Sequence, residues 1–476
     1  MKRMQMQLRR TKIVATVGPV SSSPAMLAKL MRAGVNVFRV NFSHGDPREH
    51  VQLMRRIRRV ADRQGLTVAI LADLCGPKIR VGEFPDGRVT LVTGATVAIT
   101  VRRVPGSATL LPSQYPGIVR EARPGERVLL DDGNLELRVT GKRGGNLLAK
   151  VVRGGVLKNR KGMNLPDTRL RVAALTAKDR ADLPHIVRGG ADYIALSFVR
   201  RAADILQLKR ALARLKADIP VIAKIEKPEA VADIAAITRA ADGLMVARGD
   251  LGVELPPQEV PLIQEQLIAA ADECDKPVIV ATQMLESMID HATPTRAEVS
   301  DVATAVRAGA DAVMLSGETA VGRYPLAAVT VMDQVARTVE AHQYAHGGFA
   351  RPQRTCETGI KPAVAAAVAL LSRELTAACL AVLTRSGATA RIIAAGRPAA
   401  PVLALAAAPA VRRRLCLLWG VYPAAVGRGD FAARVRLAGM LAQRQGLGRR
   451  GQPVLVVSGL TARSAAPDSI AITSIP

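Results

Sequence analysis

The chain has 476 residues, 49% of them hydrophobic, so it is too long for one compact core and predicts two to four domains with little bulk disorder. Lys and Arg number 67 against 40 Asp and Glu, a formal charge of +27 that admits nucleic acid, a membrane surface or small anions as partners. Aromatic residues, at 3%, are too few for the stacking platforms that grip single-stranded nucleic acid, and much of the excess charge is Arg in an Ala-rich chain.

The start, Met1 to Arg10, reads as a basic, polar N-terminal arm without the apolar core of a signal peptide. From Lys12 onward, β-branched runs alternate with segments of helical period. The runs predict strands at Lys12–Gly18, Val37–Ser43, Val68–Asp73, Tyr193–Val199, Val221–Glu226, Gly243–Asp250, Pro277–Gln283 and Ala312–Glu318. Helices are expected between them, as at Pro24–Ala33, His50–Gln64, Ala202–Ala217 and Glu259–Glu273. Eight strand–helix units predict an α/β fold, a closed (β/α)8 TIM barrel over residues 11–76 and 173–344. One interval breaks the rhythm. Residues 77–172 are rich in Gly and short strands such as Arg88–Leu91 and Leu135–Val139, which predicts an inserted all-β lid domain. A Gly- and Pro-containing linker then opens a C-terminal doubly wound α/β domain, residues 345–476. Within it, a helix at Ala363–Arg373 precedes strand Leu380–Thr384, helix Thr389–Ala395, and strands Val402–Ala406 and Val454–Ser458. The longest apolar run, Ala363–Leu371, is too short to span a bilayer, so no membrane association is expected. Five scattered Cys with no C-x-x-C pair argue against disulfides or structural zinc and predict a cytoplasmic protein.

Barrel enzymes place their chemistry at the carboxyl ends of the strands, and here those ends are polar. Lys224 and Glu226 are two residues apart on a strand and so point to the same side. Arg39, Asn41 and Ser43 share one face of the second strand, leaving Phe38, Val40 and Phe42 for the surrounding helices. Asp73, Ser197, Gly249, Asp250 and Thr282 stand at other strand ends. Glu226 and Asp250 suit a hard cation such as Mg²⁺, while Arg39, Arg80 and Lys224 suit an anion. On residues alone, the expectation is a metal-dependent barrel enzyme acting on a phosphorylated substrate. Thr295-Arg296-Ala297-Glu298 reads as a capping box, and Ser316 and Glu318 also suit a helix start.

Long motifs sharpen this. Thr11–Pro19, Arg39–Gly45, Ile222-Ala223-Lys224-Ile225-Glu226, Met245–Gly252, Ala281–Met288 and Met314–Ala320, in this order, resemble the pyruvate kinase family over nearly the whole chain. The resemblance implies transfer of phosphate from phosphoenolpyruvate to ADP, giving pyruvate and ATP. It assigns Lys224 to charge on the phosphoryl group in flight, and Glu226 and Asp250 to Mg²⁺ or Mn²⁺. Arg39 and Ser197 would contact the phosphate, the backbone near Gly249 and Asp250 the substrate carboxylate, and Thr282 the pocket where the enolate is protonated. His44, Arg80 and Lys161 match nucleotide-side positions, with the inserted domain closing as a lid.

The resemblance also implies a K⁺ site at Asn41, Ser43, Asp73 and the carbonyl of Leu74. This chain carries Leu74 and Lys78, the pair found in potassium-independent members, so K⁺ is not expected to be required. In the C-terminal domain, Thr384, Arg385, Ser386 and Thr389 match a loop that binds a phosphorylated allosteric effector, opposite Gly459–Arg463. An N-capped turn is the competing reading of that loop. A homotetramer is the usual assembly. Two other functions remain in view from the sequence: a Mg²⁺-dependent barrel aldolase or mutase of pyruvate or phosphoenolpyruvate, and a basic RNA-binding protein. The lid argues against the first and the intact Lys224, Glu226 and Asp250 against the second, so no nucleic-acid partner is expected.

Overall fold

The computed structural model describes residues 8–346, 349, 360–427, 430–458 and 469–476. Most of the N-terminal arm, part of the linker and the loop Gly459–Arg463 lie outside them. Eight parallel strands close into a barrel: Lys12–Thr16, Val37–Asn41, Ala69–Asp73, Tyr193–Leu196, Val221–Ile225, Gly243–Ala247, Val278–Ala281 and Ala312–Leu315. Each pairs with its neighbours in chain order, with Asn41 beside Asp73 and Asp73 beside Ala195. The two faces separate as alternation requires. Phe38, Val40 and Phe42 join the layer between strands and helices, while Val14, Val37, Leu71 and Met245 fill the barrel interior.

The third strand ends at Asp73 as expected, the fifth one residue short of its expected end, and the other six two or three residues short. The sixth ends at Ala247, and Arg248–Glu254 turns directly into a seven-residue helix. Asp250 therefore sits in the first turn of a helix rather than on a strand. The eighth ends at Leu315 and is followed by the short helix Gly317–Ala320. Phe198, Thr282 and Gln283, just past the fourth and seventh strands, have φ of 56°, 69° and 53°, which ends ladder pairing there. Between strands, helices start at side-chain caps. Ser23 and Asp46 precede Pro24 and Pro47 in first-turn positions, and Thr295 with Glu298 forms the expected capping box.

The segment between the third and fourth barrel strands forms a six-stranded sheet and a two-stranded one, around its own core of residues such as Val81, Ile99, Leu137 and Leu147. The chain enters this inserted domain, the expected lid, at Cys75 and Gly76, whose amides donate to Asp179 Oδ1 at 3.0 and 3.3 Å. Gly76 has φ of 64°, and a Cβ there would lie 2.8 Å from the Phe198 ring, so both conformation and space demand glycine. On the return, Arg200 donates to the carbonyls of Leu170 and Val172.

The C-terminal domain has a five-stranded sheet, ordered Val421–Ala425, Val402–Ala406, Cys379–Leu383, Pro453–Ser458 and Ser469–Ser474, the last antiparallel. It docks on the amino-terminal end of the barrel. Cys416 and Leu417 enter the interior cluster of the barrel, Tyr193 Oη donates to the Arg414 carbonyl at 2.6 Å, and Lys12 Nζ donates to the Val421 carbonyl at 2.7 Å. With that end plugged, the carboxyl ends of the strands and the lid frame the open face. Among the described residues no helix is long and apolar enough to cross a membrane.

Candidate active site

Asp73 is the hub of the polar cluster. Arg39 Nε donates to Asp73 Oδ2 at 2.7 Å, Arg39 Nη2 lies 2.6 Å from the same oxygen, and Nη1 donates to Thr16 Oγ1 at 3.0 Å. Across from Arg39, Lys224 Nζ lies 2.8 Å from Glu226 Oε1 and 3.5 Å from Asp73 Oδ1. It also donates to Ser197 Oγ at 2.8 Å, and the Ser197 hydroxyl donates in turn to the Leu74 carbonyl at 2.9 Å. Glu226 Oε2 accepts from the Phe198 amide at 2.9 Å, an approach the left-handed Phe198 backbone makes available. Lys224 is 9% exposed, and Asp73 and Glu226 are 1% exposed.

Burial works against the Lys224 ammonium, yet Asp73, Glu226 and Asp250 together hold its pKa above the ordinary lysine value. Burial also opposes the charge on Asp73, but Lys224 and then Arg39 outweigh it and pull its carboxyl below the usual range. Glu226 goes the other way. Its burial is the largest influence, and the like charge of Asp250 adds to it, so its carboxyl is pushed up against the pull of Lys224. A buried carboxylate pushed up by a neighbouring carboxylate is what a divalent cation relieves. Among the described residues no three His, Cys, Asp or Glu side chains converge on one point. Two carboxylates plus substrate oxygens and waters suit Mg²⁺, which seldom uses an all-protein cage.

Gly249 and Thr282 also meet. The Gly249 amide donates to Thr282 Oγ1 at 2.7 Å, and Thr282 Oγ1 donates to the Ala281 carbonyl at 2.6 Å. A substrate carboxylate would have to take over the Gly249 amide from Thr282. Arg248 fixes this corner, with Nη2 2.7 Å from the Thr282 carbonyl and Nη1 2.5 Å from Asp301 Oδ1.

Arg80 and Lys161, expected on the nucleotide side, line a separate cleft. A cleft of about 280 Å³ between lid and barrel is lined by Lys78, Arg80 and Lys161 on one side and Phe198, Lys227 and Asp250 on the other. Lys161 pairs with Asp131 at 2.7 Å, and Arg80 Nη1 donates to the Arg160 carbonyl at 3.2 Å. His44 is near enough that burial first, then Lys78, Arg80 and Lys178, hold its imidazole below the ordinary value.

Of the monovalent-cation positions, Asn41 Oδ1 accepts from the Ser43 amide at 3.0 Å and the Leu74 carbonyl from Ser197. Asp73 Oδ1 is buried without a hydrogen bond. Lys78 is exposed and ranks behind Lys224 and Arg39 in its effect on Asp73. Lys178 Nζ donates to the Phe42 carbonyl at 2.7 Å, so a second ammonium stands on this side.

In the C-terminal loop, Thr384 Oγ1 accepts from the Gly387 amide at 2.9 Å and Ser386 Oγ from the Ala388 amide at 3.4 Å, so both hydroxyls brace the turn into the helix Ala388–Ala395, whose N-cap residue, Gly387, supplies no side-chain cap. Thr389 is buried. Glu318 is structural as well, accepting from the Ser316 and Leu285 amides at 2.7 and 3.0 Å.

Sequence reasoning missed Asp73 as the partner of both cations, Asp179 as the anchor of the lid entry, and Arg200 as the clamp on its return. Only Asp179 carried a local signal, the capping box Thr176-Ala177-Lys178-Asp179. The other two contacts join residues 28 or more apart in the chain.

Comparison with known proteins bears on the family and the fold. The family model described as pyruvate kinase, barrel domain, matches residues 8–329, and the one described as pyruvate kinase, alpha/beta domain, matches residues 362–472. A pyruvate kinase of Geobacillus stearothermophilus is 44% identical over 456 residues, covering 95% of this chain and 78% of the relative. One from Agrobacterium vitis is 46% identical over 414 residues, covering 87% of this chain and 85% of the relative. A crystal structure of a pyruvate kinase from Cryptosporidium parvum superposes with a TM-score of 0.92 at 32% identity, covering 100% of this chain and 97% of the other.

Proposed function

The chain belongs to the pyruvate kinase family, which transfers phosphate from phosphoenolpyruvate to ADP in glycolysis, and from that membership we propose how its residues divide the work. The carrying observation is the buried Lys224 ammonium, held charged between Asp73, Glu226 and Ser197. Phosphoryl transfer asks a protein mainly for positioning and for charge aimed at the group in flight. Lys224 and Arg39 provide two cations on one side of the site, both oriented by Asp73. Arg39, with Ser197, grips the phosphate. Lys224 takes up charge on the transferring oxygens. Mg²⁺ held by Glu226 and Asp250 would supply Lewis acidity toward the phosphoryl oxygens and the substrate carboxylate. Thr282, beside Gly249, marks where the enolate receives its proton.

ADP would enter the cleft between lid and barrel, with its phosphates on Arg80 and Lys161 and with His44 at the rim. Residues 77–172 close over it and exclude water, which would otherwise hydrolyse the phosphoryl group. K⁺ is not required, because Lys78 and Lys178 bring fixed positive charge to the Asn41, Ser43 and Asp73 side of the site. A homotetramer, and a phosphorylated effector at Thr384–Thr389, extend the same reading. The test is initial-rate pyruvate formation from phosphoenolpyruvate with ADP, Mg²⁺ and K⁺ each omitted in turn. Loss of rate without ADP or Mg²⁺, and none without K⁺, is expected; full activity without Mg²⁺ would remove the metal assignment.

A further inference from the structure

One carboxylate oxygen joins three separate parts of the catalytic face. Glu254 Oε1 lies 2.5 Å from Lys227 Nζ and accepts from Asn164 Nδ2 at 2.7 Å. Glu254 is 3% exposed, and its other oxygen, Oε2, is buried without a hydrogen-bond partner. Asn164 belongs to the lid, in the strand pair with Arg127–Leu130. Lys227 is the residue after Glu226, and its ammonium sits 5.7 Å from the centre of the Phe198 ring. Glu254 ends the seven-residue helix whose first turn carries Asp250, four residues earlier on the same face.

We propose that Glu254 is the latch of the lid, a positioning residue that ties the lid through Asn164 to both carboxylate-bearing elements. Through Lys227 it fixes the turn that carries Glu226. Through its own helix it fixes Asp250. A half-satisfied buried carboxylate is costly unless its partners hold it, so the three elements settle together or not at all. The side chains that grip phosphoenolpyruvate directly, Arg39, Ser197 and Lys224, are organised by Asp73 and Leu74 without the latch. The latch sets instead how the nucleotide-side cleft is shaped, since Lys227 lines it with Arg80, Lys161 and Asp250. This rests on reading that cleft as the ADP site.

The experiment compares Glu254→Gln, Asn164→Ala and the double variant with Arg80→Ala, using steady-state kinetics for both substrates and hydrogen exchange of the lid entry around Gly76. A hydrogen bond to a charged group is worth enough that Glu254→Gln should raise KM for ADP about tenfold. KM for phosphoenolpyruvate should change less than about twofold, exchange at the lid entry should accelerate, and the double variant should be no worse than Glu254→Gln alone. A merely structural loss would instead lower kcat or move both KM values together. If Arg80→Ala raises KM for ADP while the latch variants leave it unchanged, the latch is wrong. If Arg80→Ala also leaves it unchanged, the ADP-site reading fails and takes the latch with it. Should Glu254→Gln fail to fold, Asn164→Ala alone carries the test: an unchanged KM for ADP with unchanged exchange overturns the proposal.

Discussion

Replacing Lys224 with Met removes the ammonium and keeps most of its stem. Three consequences can be weighed from the geometry. Asp73 keeps Arg39 at 2.6 Å and so retains a cation. Glu226 loses its ion pair at 2.8 Å and keeps only the Phe198 amide, and Ser197 Oγ loses a donor at 2.8 Å. Stranding one member of a buried pair costs about 3–5 kcal/mol, although Glu226, already inclined to hold a proton, escapes part of that by becoming neutral. Catalysis suffers more. Removing one oxyanion-type donor costs about 10²–10³ in kcat, and a cation aimed at a transferring phosphoryl group about 10³–10⁵. At about 1.4 kcal/mol per decade, the charged case corresponds to roughly 4–7 kcal/mol of transition-state stabilisation. The assay is single-turnover pyruvate formation at saturating substrates, beside thermal unfolding of the same preparation. Adding Glu226→Gln to Lys224→Met isolates the cost of the stranded carboxylate: stability should recover, and the rate, with a metal ligand also lost, should not. A variant within tenfold of the parent kcat, or recovery of rate with the second substitution, would refute the role assigned to Lys224.

Glu226→Gln and Asp250→Asn should each weaken Mn²⁺ binding by about tenfold or more while the circular dichroism of the fold is unchanged; unaltered titrations in both variants would mean other ligands. Activity should be nearly indifferent to K⁺ in buffer whose only other cation is bulky and organic, and Lys78→Glu should create a K⁺ requirement, because it reverses the charge facing Asp73 and His44; tenfold activation of the parent by K⁺ would contradict this. Lys12, buried where the C-terminal domain meets the barrel, has its pKa lowered to about 8, first by burial and then by Arg9. Its unfolded value is about 10.4, so the folded state sheds its proton first, and stability relative to Lys12→Met should rise between about pH 8 and 10 and be flat below pH 7. A stability difference that falls over that window would place the ammonium in a favourable site instead.

Much of this was legible in the residues because periodicity and strand alternation are local. The two-residue spacing of Lys224 and Glu226 put both on one face, and the same rule sent Phe38, Val40 and Phe42 to the helices and Arg39 to the site. What alternation could not show is where a strand stops. Asp250 reads as the end of a strand because it follows the apolar run Gly243–Ala247, yet the next residues have no ladder partner and close a helical turn. The hub at Asp73 was equally hidden. Its two cations come from different strands, and only closure of the barrel brings Arg39 and Lys224 to opposite sides of one carboxylate. Glu254 gave no signal either, since its partners lie 27 and 90 residues away in sequence. In the C-terminal loop, Thr384 and Ser386 hydrogen-bond the turn that leads into the helix Ala388–Ala395, a local pattern the sequence shows, while a ligand at that turn is a matter the residues alone do not decide.

The central claim is that this site moves a phosphoryl group from phosphoenolpyruvate to ADP. ³¹P NMR of a mixture of enzyme, phosphoenolpyruvate, ADP and Mg²⁺ tests it most directly. Decay of the enol phosphate resonance should be matched, phosphorus for phosphorus, by growth of the γ-phosphate of ATP, with no build-up of inorganic phosphate. Loss of the enol phosphate signal into inorganic phosphate or a carbon-bound phosphonate, with ADP unchanged, would contradict the account.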